Sequence, residues 1–298
     1  MNRRSFIAKS AAVLALGNTV HDVFSSPNMM KVKPNKGRIG ITFYSVRNEL
    51  PNDFEGTLKK VSAMGYAQAE LFKINEGDFF GHSMKETKLI FQDLGMSISG
   101  THTSSKLLSE NIKDPEWDFW KKIAEYVKTA GGKWAIQASL PGGRINNMDD
   151  LKRTAAHFDR TGEVCKNGGI KFAFHNHTEV FSKIDGEEII DLLIKNTDPK
   201  LVFFQLDLGH TVNGGGDCLR LISQHSKRIP LWHASDFDTA TRKYTWLGKG
   251  NVPYPKLFDL AQSSGVETLT VEQETLVDTF AACKSDFDYL KQFKWTKV

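Results

Sequence analysis

The chain has 298 residues with 40% hydrophobic residues and 24 glycines, which is ordinary for a globular protein large enough to bury a core. This composition excludes disordered and fibrous proteins, and no apolar run in the body of the chain approaches the ~20 residues of a membrane span. The net charge of +4 comes from residues 1–37, which hold six basic residues and one acidic residue. The rest of the chain has 33 basic and 34 acidic residues and is close to neutral, which argues against a nucleic-acid partner.

Residues 1–37 have the pattern of a targeting segment rather than of a folded element. Arg3 and Arg4 precede an aromatic–aliphatic pair, and a short apolar stretch follows from residue 11 to residue 17. This pattern resembles a twin-arginine (Tat) export signal followed by a linker, so the segment is set aside from fold reasoning. The resemblance implies recognition by the Tat export machinery, a periplasmic location and no stable membrane anchor. A basic N-terminus of a cytoplasmic enzyme is the alternative.

From residue 38 onward, short runs rich in β-branched and aromatic residues recur at intervals of about one βα unit. They predict eight strands, at residues 38–46, 66–72, 96–102, 133–138, 170–175, 201–208, 229–234 and 267–272. Amphipathic stretches between them predict helices at 53–64, 116–129, 151–165, 187–194, 217–225, 255–262 and 276–290. Glycines able to end a helix stand shortly before several of the predicted strands, at Gly65, Gly95, Gly131, Gly169 and Gly265.

Eight parallel βα repeats predict a single (β/α)₈ TIM barrel over residues 38–298. The alternative is an open doubly wound sheet, which would carry a glycine-rich phosphate-binding turn in its first unit. The first unit instead has the sequence YSVR at residues 44–47, and the glycines at 214–216 lack both dinucleotide-binding and P-loop spacing. The pattern therefore favours the barrel.

Polar side chains capable of chemistry follow most of the predicted strands, at the end where a barrel places its active site. In chain order they are Tyr44, Glu70, His102, His175, His177, Asp207, His210, His233, Asp236, Glu272 and Glu274. Five of the nine histidines are in this set. A single histidine of this kind is usually structural, but five at one end of a barrel indicate a functional site.

Two features of this set predict a divalent metal ion. Side chains two residues apart in a strand share a face, so His175 and His177 point together, and so do Glu272 and Glu274. Glu272 and Asp207 each emerge from a buried apolar run, where a cation would offset the cost of an unpaired carboxylate. Mixed imidazole and carboxylate ligands suit Mn²⁺, Zn²⁺, Co²⁺ or Fe²⁺ better than Ca²⁺, and Mg²⁺ stays a candidate.

Six segments in order resemble the sugar phosphate isomerase/epimerase family, which has a xylose isomerase-like TIM barrel. They are GITFYSVR at 40–47, GIKFAFHNH at 169–177, FQLDLGH at 204–210, LWHASDF at 231–237, LGKG at 247–250 and TVEQE at 270–274. The resemblance implies one divalent ion held by His175, Asp207, His233 and Glu272. The family's ketose epimerases have a glutamate at the position of His175, a departure that argues against epimerisation by two facing carboxylates but leaves metal binding intact.

The implied function is a metal-dependent sugar isomerase or epimerase that abstracts a proton next to a metal-bound carbonyl and forms an enediolate. Glu272 is the expected ligand and base, with Glu274 or His177 as the alternative base. The substrate is a small carbohydrate, whose hydroxyl groups are expected to contact a set of polar residues: Tyr44, Glu70, His102, His210 and Asp236.

Three other functions are compatible with the same residues to different extents. A metal-dependent lyase, dehydratase or hydrolase could act on a keto-sugar, a keto-glycoside or an inositol derivative. Elimination differs from isomerisation only in the presence of a leaving group next to the carbanion. The endonuclease IV branch of the fold would need more metal ligands and a basic groove. A non-catalytic sugar-binding protein would have lost the carboxylates and histidines that this chain retains.

Overall fold

In the computed structural model, eight parallel strands close into a barrel in which each strand pairs with the strands before and after it in the chain and the eighth pairs with the first. The strands are β1 (Ile39–Thr42), β2 (Gln68–Phe72), β3 (Ser97–Thr103), β4 (Trp134–Gln137), β5 (Lys171–His175), β6 (Val202–Asp207), β7 (Leu231–Ala234) and β8 (Thr268–Val271). The structure describes residues 37–297 except 75, 109, 112 and 276, so the predicted export signal lies outside the described residues. The predicted TIM barrel is confirmed.

Helices pack around the barrel between successive strands. They are α1 (Phe54–Ala63), α2 (Met84–Asp93), α3 (Asp118–Ala130), α4 (Met148–Asn167), α5 (Ile189–Asn196), α6 (Leu208–Asn213), α7 (Cys218–His225), α8 (Tyr254–Ser264) and α9 (Thr279–Leu290). Seven of them match the predicted helices. No helix in the described part of the chain is long and apolar enough to cross a membrane.

Two helices, α2 and α6, were not predicted, and both begin at a side-chain cap. Ser83 and Glu86 form a capping box at the start of α2, in which each side chain accepts a backbone N–H of the other residue. Asp207 caps α6 by accepting the N–H of His210 at 2.6 Å, which ends β6 one residue earlier than predicted. The first predicted strand is also shorter than expected, because Phe43–Val46 forms a 3₁₀ turn after Thr42.

Burial of apolar side chains between the strands and the helices holds this architecture together. On α3, Trp120, Ile123 and Val127 face the barrel and are 2% exposed or less. Each such side chain contributes about 1.5–3 kcal/mol through removal of apolar surface from water. The helix ends at Gly131, whose φ of +84° lies in the left-handed region that glycine adopts without a steric penalty. This packing fixes the ends of the strands, where the site residues lie.

Short hairpins are inserted in the loops that follow three barrel strands. Asp78–Phe79 pairs with His82–Ser83 after β2, Lys183–Ile184 pairs with Glu187–Glu188 after β5, and Asp236–Asp238 pairs with Lys243–Thr245 after β7. Because these loops follow the carboxyl ends of the strands, the hairpins belong to the end of the barrel where the predicted site residues collect. The third hairpin supplies a residue to the site, as described below.

Candidate active site

A cavity of about 460 Å³ opens at the carboxyl ends of the strands, within the size range of small-molecule sites. The residues that line it are Tyr44, Phe72, Lys73, His102, Thr103, Ser104, Ala138, Ser139, His175, His177, Glu272 and Glu274. Six of the eleven predicted site residues are therefore in the wall of one cavity. The wall formed at the ends of β3 and β4 consists of small side chains, from Thr103, Ser104, Ala138 and Ser139.

The four residues predicted to bind a metal ion lie together at this cavity. His175, Asp207, His233 and Glu272 each place one nitrogen or oxygen atom within 4.8 Å of the others, and all four side chains are buried. The four residues lie close together because of the register of four neighbouring strands, β5 to β8. Asp207 is the Cα partner of His233, and Glu272 follows the residue that pairs with Ala234. The backbone N–H of Glu272 donates to the carbonyl of Ala234 at 2.9 Å.

Asp207 has an unused oxygen atom inside this cluster. Its Oδ1 accepts hydrogen bonds from the Ser235 hydroxyl and from the His210 backbone N–H, both at 2.6 Å. Its Oδ2 is buried and has no hydrogen-bond partner among the described residues. Burial raises the pKa of Asp207 to about 6, because nothing nearby fully offsets the cost of its charge. A buried carboxylate oxygen without a partner is the arrangement that a cation would satisfy.

His233 lies between two carboxylates. Its Nδ1 is 2.6 Å from Glu272 Oε2, and its Nε2 is 2.7 Å from Glu70 Oε1. Burial alone would lower the pKa of His233, but the two carboxylates outweigh it and raise this pKa well above its usual value. Burial likewise opposes ionisation of Glu272, and the charge and hydrogen bond of His233 hold its pKa at about 2. The cluster thus favours positive charge at its centre, which fits a divalent ion.

Gln205 is a buried residue of the site that the sequence analysis did not identify. Its Oε1 lies 2.7 Å from His102 Nε2 and 3.0 Å from His175 Nδ1, and its Nε2 donates to Glu70 Oε2 at 2.6 Å. Burial and the neighbouring histidines lower the pKa of His175 well below its usual value, so its ring is neutral, as a metal ligand requires. The sequence feature that could have identified Gln205 is that it is a polar residue within the apolar strand β6, two positions before Asp207.

A second group of polar side chains lies beside the metal cluster, and three of them, Tyr44, His177 and Glu274, line the cavity. The rings of His177 and His210 are 4.5 Å apart between centroids, and His210 Nε2 lies 3.5 Å from Glu274 Oε1. Arg47 Nη2 lies 4.0 Å from Glu274 Oε2, and the Arg47 guanidinium is 3.9 Å from the centroid of the Tyr44 ring. Glu274 is therefore held between two cationic partners with its carboxylate at the cavity.

Tyr244, from the hairpin after β7, is a further residue that was not predicted. Its hydroxyl forms a short contact with His210 Nδ1 and accepts a hydrogen bond from Asn213 Nδ2 at 3.2 Å. Burial would lower the pKa of His210, but the charges of Asp207 and Glu274 raise it to about 9. His210 is thus held through Nδ1 by Tyr244, and its Nε2 lies within ion-pair distance of Glu274. His210 is not among the residues that line the cavity, and its predicted contact with a substrate hydroxyl group stays a prediction.

The structure gives Asp236 a different role from the predicted one. Its carboxylate accepts backbone N–H groups from Phe237 at 2.9 Å, Gly248 at 2.9 Å, Gly250 at 3.0 Å and Val252 at 3.0 Å. Both oxygens are used, and Asp236 is not among the residues that line the cavity. We therefore reassign Asp236 from sugar binding to holding the loop after the third hairpin.

Replacement of Asp236 by asparagine should destabilise the fold rather than weaken substrate binding. The new amide group would face N–H donors, and each buried donor left unpaired costs about 1–3 kcal/mol. Urea unfolding followed by circular dichroism should show a lower midpoint. The control is Asp238→Asn, at a half-buried carboxylate that accepts from Ala240 N–H and the Thr241 hydroxyl in an exposed turn, and it should change the midpoint less. An unchanged midpoint together with a raised KM would restore the predicted substrate-binding role.

Comparison with known proteins agrees with this geometry. The family model described as xylose isomerase-like TIM barrel matches residues 58–297. An inosose dehydratase from Geobacillus kaustophilus is 24% identical over 227 residues, which cover 70% of this chain and 71% of that protein. The family model covers seven of the eight barrel strands, β2 to β8, and begins after β1 and Tyr44.

Solved structures give the same result. A sugar phosphate isomerase/epimerase from Parabacteroides distasonis is 28% identical, with a TM-score of 0.78 over 88% of this chain and 96% of that chain. An IOLI protein with a bound zinc atom is 15% identical and shares the fold, with a TM-score of 0.65 over 86% of this chain and 99% of that chain.

Proposed function

This chain belongs to the xylose isomerase-like TIM barrel family, and from that premise we propose that it is a divalent-metal-dependent enzyme that removes a proton next to a carbonyl group of a sugar or cyclitol. One observation carries the proposal. Two imidazoles and two carboxylates meet within 4.8 Å at a cavity of about 460 Å³, and the buried Asp207 Oδ2 among them has no partner in the described part of the chain.

The proposed ligands are His175, Asp207, His233 and Glu272. A divalent ion bound there would supply Lewis-acid chemistry, which makes the hydrogen on the carbon next to a carbonyl more acidic. The set has only two carboxylates and two imidazoles, which favours Zn²⁺, Co²⁺, Mn²⁺ or Fe²⁺ over the harder ions that prefer oxygen ligands. Binding of a metal by His233 requires that its Nδ1 lose the proton now shared with Glu272, so metal uptake should release a proton.

We assign the removal of the substrate proton to Glu272, which lines the cavity and contacts His233 through Oε2. Glu274 lines the same cavity two residues further on, and His177 lies in the same wall. These two are the alternative bases. Tyr44, His102 and His210 are proposed to hold substrate hydroxyl groups, because each lines the cavity or contacts a residue that does.

Of the two reactions that begin this way, elimination of water is the one we favour. Both cavity carboxylates, Glu272 and Glu274, come from the end of β8, whereas His175 stands where the family's ketose epimerases have a facing glutamate. In the elimination, the α C–H bond and the β C–O bond break and a C=C bond forms. The proton taken by the carboxylate can be returned to the departing hydroxyl group, so that water leaves. Inosose dehydratase relatives support this choice.

Isomerisation is the second candidate, because a sugar phosphate isomerase/epimerase structure matches 88% of the chain at 28% identity. After the same proton removal, the proton would be returned to carbon instead of to a leaving group. The product then keeps the mass of the substrate, whereas elimination loses one water. The mass of the product therefore separates the two reactions.

The test is metal analysis of the purified protein, followed by NMR and mass spectrometry of ketoses, keto-sugars and inososes incubated with it in D₂O. We expect about one equivalent of a transition metal and deuterium at a carbon next to the carbonyl, with loss of water from the true substrate. Protein stripped with a chelator is the control and should be inactive until a metal is restored. Sugar binding with neither metal nor deuterium exchange would contradict the proposal and indicate a non-catalytic binding protein.

A further inference from the structure

A layer of buried polar side chains lies behind the proposed metal ligands, inside the barrel. Gln205 is the Cα partner of His175 across β5 and β6, and it precedes Asp207 by two residues, so it lies one layer deeper on the same face. Its amide contacts three groups at hydrogen-bond distance: His175 Nδ1 at 3.0 Å, His102 Nε2 at 2.7 Å and Glu70 Oε2 at 2.6 Å.

Glu70 completes this layer from the opposite side of the barrel. It is on β2, which is separated from β6 by three strands in either direction around the sheet. Its side chain is 2% exposed, and its Oε1 lies 2.7 Å from His233 Nε2 and 3.1 Å from His102 Nε2. The charge of Glu70 is therefore held within the layer by His233, His102 and Gln205, and Glu70 itself is not among the residues that line the cavity. We call Glu70 and Gln205 the support pair.

Matching donors to acceptors decides which ring nitrogens carry hydrogen. The side chain of Glu70 accepts, so Gln205 must present its NH₂ group to Glu70 and its carbonyl oxygen to the histidines. His175 Nδ1 then carries a hydrogen that is donated to Gln205. In the same way, His233 Nε2 carries a hydrogen that is donated to Glu70.

The other ring nitrogens of these histidines are turned toward the metal cluster. His233 Nδ1 is 2.6 Å from Glu272 Oε2, and His175 Nε2 is 3.9 Å from the same oxygen. The hydrogen bonds of the support pair thus select both the orientation and the tautomer in which each ring can offer a lone pair to a metal ion. Outer partners of this kind raise the basicity of a metal-binding histidine and fix its ring.

We propose that Glu70 and Gln205 are positioning residues that prepare His233 and His175 to bind the metal ion. The inference rests on the metal site of the proposed function. It replaces the expectation that Glu70 binds a sugar hydroxyl group, because its two oxygens are occupied by groups inside the barrel. It also explains how a histidine can stand at position 175, since Gln205 supplies the acceptor that its Nδ1–H requires.

Replacement of Glu70 by glutamine tests the role of the carboxylate. The new NH₂ group must face either the Nε2–H of His233 or the NH₂ group of Gln205, so one donor opposes another. We expect the Kd for Co²⁺ to rise about 10- to 100-fold, the usual cost of losing an outer partner of a metal ligand. The d–d absorption spectrum of bound Co²⁺ should also change, because the ring of His233 is no longer fixed.

Exchange of the two side chains is the more specific test. In the double variant Glu70→Gln with Gln205→Glu, the amide at 70 donates to the carboxylate at 205, and its oxygen accepts from His233. The carboxylate at 205 accepts from His175 and His102. Every hydrogen bond is therefore retained, and only the one between residues 70 and 205 reverses its direction. We expect the Kd for Co²⁺ to return to within about threefold of the wild-type value, a non-additivity that a double-mutant cycle measures.

The control is Gln137→Leu, which removes a buried amide of the barrel that contacts Ser105 and Ser139 but no metal ligand. It should lower the unfolding midpoint without changing the Kd for Co²⁺. If Glu70→Gln fails to fold, Glu70→Asp is the substitute. It keeps the charge, but the shorter side chain moves the carboxylate away from His233, and we expect the Kd for Co²⁺ to rise about 10-fold.

The outcomes separate this inference from the proposed function. A wild-type protein that binds no Co²⁺ would overturn both. If the wild type binds Co²⁺ and Glu70→Gln binds it equally well, only the support-pair role fails. A loss of affinity in Glu70→Gln that the exchanged pair does not restore would also overturn that role, because the loss would then follow from damage to the barrel.

Discussion

The Asp207→Ala variant should lose stoichiometric binding of a divalent ion while the barrel stays folded. Asp207 Oδ2 is a buried oxygen of the cluster with no hydrogen-bond partner among the described residues, so the substitution removes one of the four proposed ligands. We expect the metal Kd to rise more than about 100-fold, beyond the effect of losing an outer partner, and turnover to fall with it. Metal analysis after dialysis, with circular dichroism on the same sample, measures both properties.

The fold should survive this substitution, because burial penalises the charge of Asp207 and raises its pKa to about 6. Removal of the side chain relieves that penalty, although it leaves the Ser235 hydroxyl and the His210 N–H without their acceptor. Asp207→Asn keeps the Oδ1 acceptor and changes only Oδ2, so it isolates the ligand role. The exposed helix-cap substitution Asp217→Ala is the control and should keep the metal. One equivalent of metal retained in Asp207→Ala would refute the ligand assignment.

The Glu272→Gln variant should slow deuterium incorporation at the substrate α carbon by about 10²- to 10⁴-fold, the usual contribution of a general base. The amide oxygen can still approach a metal ion, but it cannot take up a proton. Some metal should therefore remain bound, and the rate is measured by NMR in D₂O at saturating metal. Glu267→Gln is the matched control, since Glu267 precedes the same strand at its other end and pairs with Lys171 on the surface.

The same experiment decides among the alternative bases. Glu274→Gln and His177→Gln are measured under identical conditions, and the base is the residue whose replacement stops exchange while the metal stays bound. If Glu272→Gln exchanges deuterium within about threefold of the wild-type rate, Glu272 acts only as a ligand. The assignment of base then passes to whichever of the other two variants is inactive.

The positions of the strands and of the metal cluster could be predicted because local rules determine them. Apolar runs of strand length mark the barrel strands, and most of them end at a polar residue. The two-residue period of a strand then determines which face of the sheet that side chain is on. His175, Asp207, His233 and Glu272 were found in this way and through a family resemblance. The structure brings their atoms within 4.8 Å, and their role as ligands stays a proposal.

Contacts across the barrel could not be predicted, because they depend on closure of the sheet. Gln205 and Glu70 are 135 residues apart in sequence and meet only because β2 and β6 face each other across the interior. Asp236 was misassigned for a similar reason: nothing in the sequence shows that the loop around Gly248 returns its N–H groups to this carboxylate. The helix α2 was missed although its capping box was visible.

The small side chains that follow β3 and β4 form a part of the cavity wall that can change without altering the proposed metal ligands. The proposed metal ligands and base lie at the ends of β5 to β8, whereas Ser104, Ala138 and Ser139 line the same cavity and are none of the proposed ligands. A larger residue at one of these three positions would shrink the cavity and leave the ligands in place. Substrate size can thus change at these three positions while the metal ligands and the residues that position them are kept, and directed evolution for a new substrate should begin there.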